Sequence, residues 1–487
     1  MARQFWQSAA HLSRRMHLVV LAAVVLAALN GAPAEAQGYK QLNADAAAGQ
    51  LRGKAGAAVR QAGAPTPAQL ADIDKFFNSY YFPTMTNTDP AQLGALAKLR
   101  KDLFVQYINA AKDAQMRTHL LNLSFKASGS ISAGPYHPAA RYNAALILGQ
   151  LDQTPATGAT PPTPLAAGTN ALTALLERPD INGVPVPPAV KIAALVGLER
   201  HTRIRVDPQY SERITAAALA IATRKEPPAD ISDDVNGWMR RLAAQVLANQ
   251  FVAGVTAPVH EVFVTLIGSK ELNLDDRCEV ARLLKPTMYR NVQGVDAGEM
   301  ADALGRLAKA IFAGERAKAE KYQEELLGDP SAGGGFGGGG FDGGRGGGFG
   351  GRGGRGGRGG GYGGEFGGRD GFGGGFGGMA MGPQGPHFEK RRTLDRVMAL
   401  IAGASAIADG GASDEVKQRM TALVTPLQEA ADVISDDDTA ELAVADAVVE
   451  LAEQVNDIIN GWAAGAEPAE GGDADAAEGG EFGDAEN

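Results

Sequence analysis

Cysteine is almost absent from this chain, because Cys278 is the single cysteine among 487 residues. One cysteine excludes an intramolecular disulfide framework and every zinc site built from several thiolates. Cys278 lies in a helical pattern between Asp275 and Ala281. We expect it to be a small buried thiol, with a reactive or intermolecular thiol as the alternative.

Aromatic residues are also scarce, at 6%, and alanine supplies much of the 44% hydrophobic content. This composition favours closely packed helices over aromatic-rich β-sandwiches. Positive charge is in deficit as well: the net charge of −10 argues against a generally cationic nucleic-acid-binding or membrane-surface protein. The length leaves room for two or three domains and at least one sizeable core.

Residues 1–36 have the pattern of a secretory signal peptide. An arginine-containing segment precedes a short apolar run, Leu18 to Leu29, and small residues lead to a predicted cleavage between Ala36 and Gln37. The apolar run is shorter than the roughly 20 residues that a membrane-spanning helix needs, so we expect cleavage rather than anchoring. Removal of three arginines and one glutamate would change the net charge from −10 to −12.

The pair Arg14-Arg15 leaves the export route open. The surrounding residues resemble a twin-arginine signal, but His17 stands where that pattern has an apolar residue. Either route delivers the chain to the periplasm or the extracellular medium. No later stretch is long and apolar enough to span a bilayer, so we expect no transmembrane helix after cleavage.

Helix-start signals are absent from residues 37–65 and recur from residue 66 onward. Residues 37–65 are rich in Ala, Gly and Gln without a sustained apolar period, and they predict a flexible lead-in. Residues 66–328 predict a helical array whose last helix ends near Leu327. Its helix-start signals are Thr66-Pro67, Asp89-Pro90, His137-Pro138, Pro187-Pro188, Asp207-Pro208 and Ala257-Pro258. Proline fits the first turn because its missing N–H has no intrahelical partner there.

An internal repeat with a spacing of fifty residues links Arg141, Lys191 and Arg241, and a weaker copy starts at Arg277. Alanine follows each of the first three by three positions, and apolar residues follow at seven and ten. These offsets lie on one helical face, while the leading basic residue can stay solvated and cover apolar surface with its stem. His201 takes the tenth position of the second copy, so we expect a packed, hydrogen-bonded core histidine.

The segment His137 to Gly149 resembles the second helix of a HEAT repeat, with a proline, a basic residue, alanines and Leu-Gly at helical spacing. Pro188 to Leu195 and Trp238 to Ala244 resemble it too, the latter without the proline. The resemblance implies an α-solenoid of helix pairs with a concave protein-binding surface. The spacing exceeds the usual 40–47 or so residues, an excess that Pro- and Thr-rich inserts explain. A compact helical domain without regular stacking is the alternative.

Residues 329–387 are mostly glycine with interspersed Arg and Phe, and they predict a disordered linker because glycine buries nothing and has the highest ordering entropy. Within this linker, a run of Arg-Gly-Gly resembles the RGG boxes of RNA-binding proteins. Arginines neutralise phosphates and aromatic rings stack on bases, so the candidate nucleic-acid contacts are Arg352, Arg355, Arg358 and Tyr362. A flexible spacer is the favoured interpretation, because the tract has few net positive charges and an exported chain is separated from most RNA.

Helical periodicity returns after the linker. Residues 388–463 predict a small three-helix module, with Ser413 as a cap for the second helix and Asp438 with Glu441 as a capping pair for the third. Residues 464–487 contain mainly Ala, Gly, Asp and Glu and predict an acidic disordered tail.

The densest aromatic group outside the linker has two interpretations. It follows the first predicted helix and comprises Phe76, Phe77, Tyr80, Tyr81 and Phe82. The first repeat of an array needs a cover for its open core, so a terminal cap is favoured. A partner-binding hot spot is the alternative.

No sequence pattern indicates catalysis. The five histidines after residue 37 lack metal-ligand spacing, and neither a nucleophile elbow nor a phosphate-binding loop occurs. We therefore expect no catalytic residue, metal or cofactor. The leading hypothesis is an exported, non-enzymatic protein–protein interaction scaffold whose protein partner and oligomeric state are open. The alternatives are an exported nucleic-acid-binding protein and an enzyme whose site assembles from scattered residues.

Overall fold

The computed structural model describes residues 38–204, 206–290, 292–327 and 387–464, and within these ranges the chain is mainly helical. The helices of the first half are α1 (Ala46–Gly49), α2 (Arg52–Arg60), α3 (Pro67–Phe76), α4 (Phe82–Thr84), α5 (Pro90–Asp102), α6 (Ala114–Ala133), α7 (Pro138–Leu148), α8 (Ala166–Glu177) and α9 (Pro188–Ile204). Two π-helical turns, Phe77–Tyr81 and Leu103–Ile108, continue α3 and α5.

The second half is helical in the same way. Its helices are α10 (Pro208–Ala222), α11 (Asp233–Gln250), α12 (Ala257–Gly268), α13 (Leu274–Ala281), α14 (Pro286–Tyr289), α15 (Ala297–Leu327), α16 (Lys390–Asp409), α17 (Asp414–Ser435) and α18 (Glu441–Ala464). Among the described residues, no helix is long and apolar enough to cross a membrane.

The proline signals in the sequence mark helix starts correctly. α3, α5, α7, α9 and α10 begin at the proline itself, and α12 begins one residue before Pro258. Thr66, Asp89, His137 and Asp207 each accept a hydrogen bond from a backbone N–H of the first turn. These N–H groups have no intrahelical partner, so the capping side chains stabilise the helix starts.

Two short β-ribbons occupy the inserts to which the sequence analysis assigned no structure. β1 (Asp152–Thr154) pairs antiparallel with β2 (Thr163–Pro164), and β3 (Asp180–Ile181) with β4 (Val184–Pro185). The second ribbon turns at Asn182-Gly183, whose φ angles are 54° and 76°. Asparagine and glycine tolerate this left-handed backbone, so the Asn-Gly pair by itself favours a hairpin turn here.

From α6 onward the helices pack in two layers. One layer consists of α7, α9, α11, α13 and α16, which contact one another in that order; α6, α8, α10, α12 and α15 do the same in the other layer. Each helix of the second group also contacts the helix of the first group that follows it. This order of contacts is compatible with an α-solenoid, in which a helix pair touches mainly its neighbouring pairs.

The helices that carry the repeat are strongly buried. In α7 every residue from Ala140 to Leu148 is buried, and Ala144 and Leu148 are fully enclosed. At the end of α7, Gly149 packs against Gly197 of α9, where a Cβ added to Gly149 would lie 2.5 Å from the Gly197 Cα. Glycine at both positions permits this close approach of the two backbones. Little of α7 is left to line the concave surface that the HEAT resemblance implies.

Residues 38–65 contain helices where the sequence analysis expects a flexible lead-in. Ala55, Ala58 and Val59 form a buried face of α2, which packs against α3. Small side chains let two helices approach closely, so they can build a core without the long apolar pattern used for the prediction.

The three C-terminal helices pack against the array as well as against each other. α16 contacts α13, α14 and α15, and α18 lies along α15. A buried ionic network joins these elements: Arg396 of α16 donates to Glu315 of α15 at 2.6 Å and to Asp275 of α13 at 2.7 Å. Arg396 and Glu315 are both buried. The predicted module 388–463 therefore continues the packing of the array.

The predicted linker 329–387 lies outside the described residues, apart from His387. Its two flanks are nevertheless neighbours: the ring centroids of Tyr322 in α15 and Phe388 lie 5.9 Å apart, and the Phe388 N–H donates to Glu441 of α18. The segment thus joins two helices, α15 and α16, that contact each other directly. In topological terms it is an insertion within one packed unit.

Candidate functional site

Two of the predicted sites lie outside the described residues, as does the acidic tail beyond Ala464. One is the signal cleavage between Ala36 and Gln37. The other is the group of candidate nucleic-acid contacts Arg352, Arg355, Arg358 and Tyr362. All three assignments stay predictions.

The aromatic group near the start of the array lies mostly inside the protein. Its members are Phe76, Phe77, Tyr80, Tyr81 and Phe82. Four of them expose at most 5% of their surface, and only Tyr80 is half-buried. Phe76, Phe77 and Tyr81 pack around Tyr107, whose ring centroid lies 5.1 Å from that of Phe77. A partner cannot reach rings that the chain itself encloses, so this geometry favours the core of a terminal cap over a binding hot spot.

The two π-helical turns position this aromatic core. Tyr81, in the first turn, donates its hydroxyl to the Leu99 carbonyl at 2.5 Å. Burial raises the pKa of Tyr81, so the hydroxyl keeps the proton that it donates. A π turn inserts one residue into the helical repeat, and the residues after it change face. A sequence analysis that assumes a constant helical period does not detect this change.

The repeated basic residues have a structural role that the sequence analysis did not anticipate. The Nε groups of Arg141, Arg240 and Arg277 donate to the carbonyls of Ser132, Ala222 and Ile267 at 3.0, 3.1 and 2.8 Å. Each carbonyl lies in the last turn of the preceding helix, at its negative dipole end. All three arginines are at least 96% buried and Arg241 is 94% buried, so the repeat arginines are not the solvated residues that we expected. Lys191, the basic residue of the second copy, is half-buried.

The repeat is also shifted by one residue in its third copy. The fifty-residue spacing selects Arg241, but Arg240 makes the carbonyl contact. Arg241 instead forms an ion pair with Asp276 of α13, with 2.8 Å between Nε and Oδ1. The two adjacent arginines therefore have different roles. Arg240 caps the preceding helix, α10, and Arg241 contacts the next helix pair through Asp276.

His201 is the packed core histidine that the repeat predicts. It is fully buried in α9, its Nδ1 lies 2.9 Å from the Thr169 hydroxyl, and its Nε2 lies 3.1 Å from the Gly149 carbonyl. Burial, together with the neighbouring positive charge of Arg200, lowers the pKa of His201 to about 4. The side chain therefore joins α7, α8 and α9 as a neutral imidazole.

A pair of buried titratable rings, His260 and Tyr289, adjoins a cavity of about 240 Å³, lined by Tyr289, Asp296 and Ser413 among others. The His260 ring packs edge-on against Tyr289, with centroids 5.8 Å apart, and the Glu299 carboxylate lies 3.7 Å from its Nε2. Burial lowers the pKa of His260 and raises that of Tyr289. Within the described chain the Tyr289 hydroxyl has no hydrogen-bond partner, so this group has no nucleophile–base pair.

Neither a metal site nor a reactive thiol is visible in the described part of the chain. No group of three or more His, Cys, Asp or Glu residues there could hold an ion. Cys278 is 3% exposed, and burial raises its pKa to about 12, which keeps the thiol protonated and unreactive. The expectation of a buried thiol is confirmed.

Comparison with known proteins adds no family name. No family model, curated protein or solved structure matches this chain. The likeness to HEAT repeats therefore rests on the residues quoted from the sequence and on the order in which the helices pack.

Proposed function

We propose that this chain is an exported, non-enzymatic protein–protein interaction scaffold built as a HEAT-like α-solenoid. The observation that carries the proposal is the packing order of α7, α9, α11, α13 and α16, in which each helix contacts the next. Stacked helix pairs bury a continuous core and present an extended surface, and such surfaces typically bind other proteins. Export is inferred from the signal-peptide pattern of residues 1–36.

Burial of the second helices indicates which surfaces a partner would contact. Because Ala140 to Leu148 of α7 are enclosed, α7 itself offers a partner little area. We therefore assign partner contacts to the first helices of the pairs, to the β-ribbons and to the two ends of the array.

A crosslinking pull-down from the native envelope or medium tests this proposal. The mature chain is compared with a variant that lacks residues 333–382 and with Leu148→Asp, whose array should be unfolded. We expect one dominant protein to be captured by the first two baits and not by Leu148→Asp, and to bind again as a purified pair. A pull-down without any such protein contradicts the scaffold proposal.

The Arg-Gly-Gly run favours a second candidate function, nucleic-acid binding. This alternative predicts RNA capture that is sensitive to nuclease and salt and that disappears when Arg352, Arg355 and Arg358 are changed to alanine. The same substitutions should leave capture by a protein scaffold unchanged. RNA binding that survives the triple substitution, or no RNA binding at all, excludes the alternative.

A further inference from the structure

The two ends of the chain carry opposite charge. Residues 38–140 contain eleven Lys and Arg residues and six Asp residues, with no glutamate. Residues 387–464 contain six Lys and Arg residues against fifteen Asp and Glu residues. Residues 465–487 add eight acidic residues and no basic one. The excess negative charge of the protein is therefore concentrated at its C-terminal end.

The basic end has a defined surface, formed by α2, the end of α5 and the second π-helical turn with the segment after it. We define it by the exposed side chains Arg52, Lys54, Arg60, Lys101 and Lys112. The Lys112 N–H donates to the Val59 carbonyl, which places Lys112 beside α2. Val105 adds an apolar side chain that is 59% exposed. An apolar residue among cations makes the surface suitable for contact with a protein.

Five of the six aspartates of residues 38–140 already have a partner within the described chain, and Asp72 is the exception. Asp45, Asp89 and Asp113 accept backbone N–H groups at the starts of α1, α5 and α6. Asp74 contacts His119 and Asp102 pairs with Lys98, with 2.7 Å between the nitrogen and the carboxylate oxygen in both cases. None of the five cations that define the basic end has an ion-pair partner among the described residues. Arg60 donates to the Gly56 carbonyl and Arg52 interacts with the Tyr107 hydroxyl, but neither contact supplies a negative charge, so the charge of all five cations is available to an outside partner.

The acidic end shows the reverse arrangement, because here every cation except Arg391 has a partner within the described chain. Arg392 and Arg396 pair with Asp275, and Arg419 pairs with Asp302. The exposed carboxylates that lack an ion pair in the described chain include Glu415, Glu429, Asp432, Asp436, Asp437 and Asp438. They belong to α17 and the turn after it, beside Val433, which is 39% exposed.

We propose that copies of this chain associate head to tail, with the basic end of one copy against α17 and the following turn of a second copy. Charge complementarity and one exposed valine on each surface identify the second copy as the occupant. The two surfaces differ, so the contact is heterologous and can be repeated from copy to copy into a ring or a filament. Association steered by charge weakens as salt screens it.

Sedimentation velocity of the chain without its predicted signal peptide tests this inference, across a concentration series at low and high salt. One variant reverses the basic end (Arg52→Glu, Lys54→Glu and Arg60→Glu), and another reverses the acidic end (Glu429→Lys, Asp432→Lys and Asp437→Lys). The control reverses three exposed cations in the middle of the array: Arg178→Glu, Lys225→Glu and Lys270→Glu. Circular dichroism and thermal melting verify that all three variants fold.

We expect the wild-type chain to self-associate at low salt and each end variant to associate at least tenfold more weakly, with little change in the control. A mixture of the two end variants should form a one-to-one dimer, because each retains one intact surface. A monomer at every concentration overturns the inference, as does association that both end variants retain. Binding of an acidic partner such as heparin by the basic end, without self-association, also overturns it.

Discussion

Two junctions between neighbouring helices hold this protein together by different means. At the α7–α9 junction, Gly149 and Gly197 bring two backbones into contact among mainly apolar side chains, and Arg200 and the neutral His201 donate to the Gly149 carbonyl. At the α13–α16 junction, Arg396 reaches the carboxylates of Asp275 and Glu315. The first junction joins helices that are close in sequence, whereas residues 328–386 separate the second pair of helices along the chain.

The apolar contact and the ionic contact have different effects on the fold. Apolar packing at close range stabilises strongly, but many registers of two alanine-rich helices bury similar area. A buried ion pair penalises every arrangement that leaves a charge without its partner. The ionic network therefore selects one register for helices that a long insertion would otherwise leave free to dock in several ways.

The largest expected effect comes from placing a charge in the apolar junction. Leu148 is fully buried in α7, so Leu148→Asp should lower the free energy of unfolding by more than about 4 kcal/mol and unfold the array. Thermal melting measures the loss. The matched control is Val105→Asp, at a position that is 59% exposed, where we expect a change within about 0.5 kcal/mol. An unchanged melting temperature for Leu148→Asp would show that the repeat core is misassigned.

Removal of one partner from the ionic junction should have the next largest effect. Glu315→Ala removes one of the two carboxylates that pair with the buried Arg396. We expect the free energy of unfolding, measured by urea denaturation, to fall by about 3–5 kcal/mol. Hydrogen exchange should rise first in α16 and α18. The control is Arg392→Ala, whose half-exposed ion pair with Asp275 contributes at most about 1 kcal/mol. Equal losses in the two variants would contradict a special role for the buried pair.

Lowering the pH should weaken the α7–α9 junction first and the α13–α16 junction second. The pKa of His201 is about 4 in the folded chain, and an unfolded imidazole titrates near 6.5, at about the ordinary value. The unfolded state therefore takes up the proton first, and stability falls by about 3 kcal/mol between about pH 6.5 and 4. His201→Leu, which copies Leu151 of the first repeat, should remove this dependence. A wild-type chain whose stability is flat over that range would refute the assignment.

The ionic junction should respond only at lower pH. Burial alone would raise the pKa of Glu315, but hydrogen bonds from Lys318 and Thr393 and the charge of Arg396 together lower it. A lowered carboxyl pKa contributes stability above the unfolded value and loses it as the pH falls through the folded one. Exchange at α16 and α18 should therefore begin to rise below about pH 4, the region of unperturbed carboxyl groups.

The smallest expected effect concerns the glycine contact. Gly149→Ala places a methyl group against the Gly197 backbone and should cost about 1–3 kcal/mol through overpacking. Gly94→Ala is the control, since a Cβ at this position of α5 meets nothing within 4 Å. There we expect stabilisation by about 0.5–1 kcal/mol, because alanine favours a helix. If both substitutions stabilise the protein, the close approach of α7 and α9 does not contribute to the free energy of unfolding.

Local features of the sequence predicted much of this fold and little of its contacts. Thr66 and Asp207 predict helix starts because a capping side chain accepts a hydrogen bond from a backbone N–H two or three residues later. The burial of His201 and Leu148 follows from the helical period. The role of Arg240, in contrast, depends on where α10 ends, and the spacing alone pointed to Arg241. The opposite charge of the two ends follows from the composition of the individual segments, whereas the net charge of the whole chain conceals it.

The sequence by itself determined where the helices with proline or capping signals begin, which face of most of them is apolar and that the chain is mainly helical, since these properties depend on residues within one or two turns. Only the tertiary structure decided that α1 and α2 join the core, that the aromatic group is enclosed, and that α16 packs back onto α13 and α15. Those outcomes depend on partners far apart in the chain. Their free energy comes from surfaces that meet only after the helices have stacked.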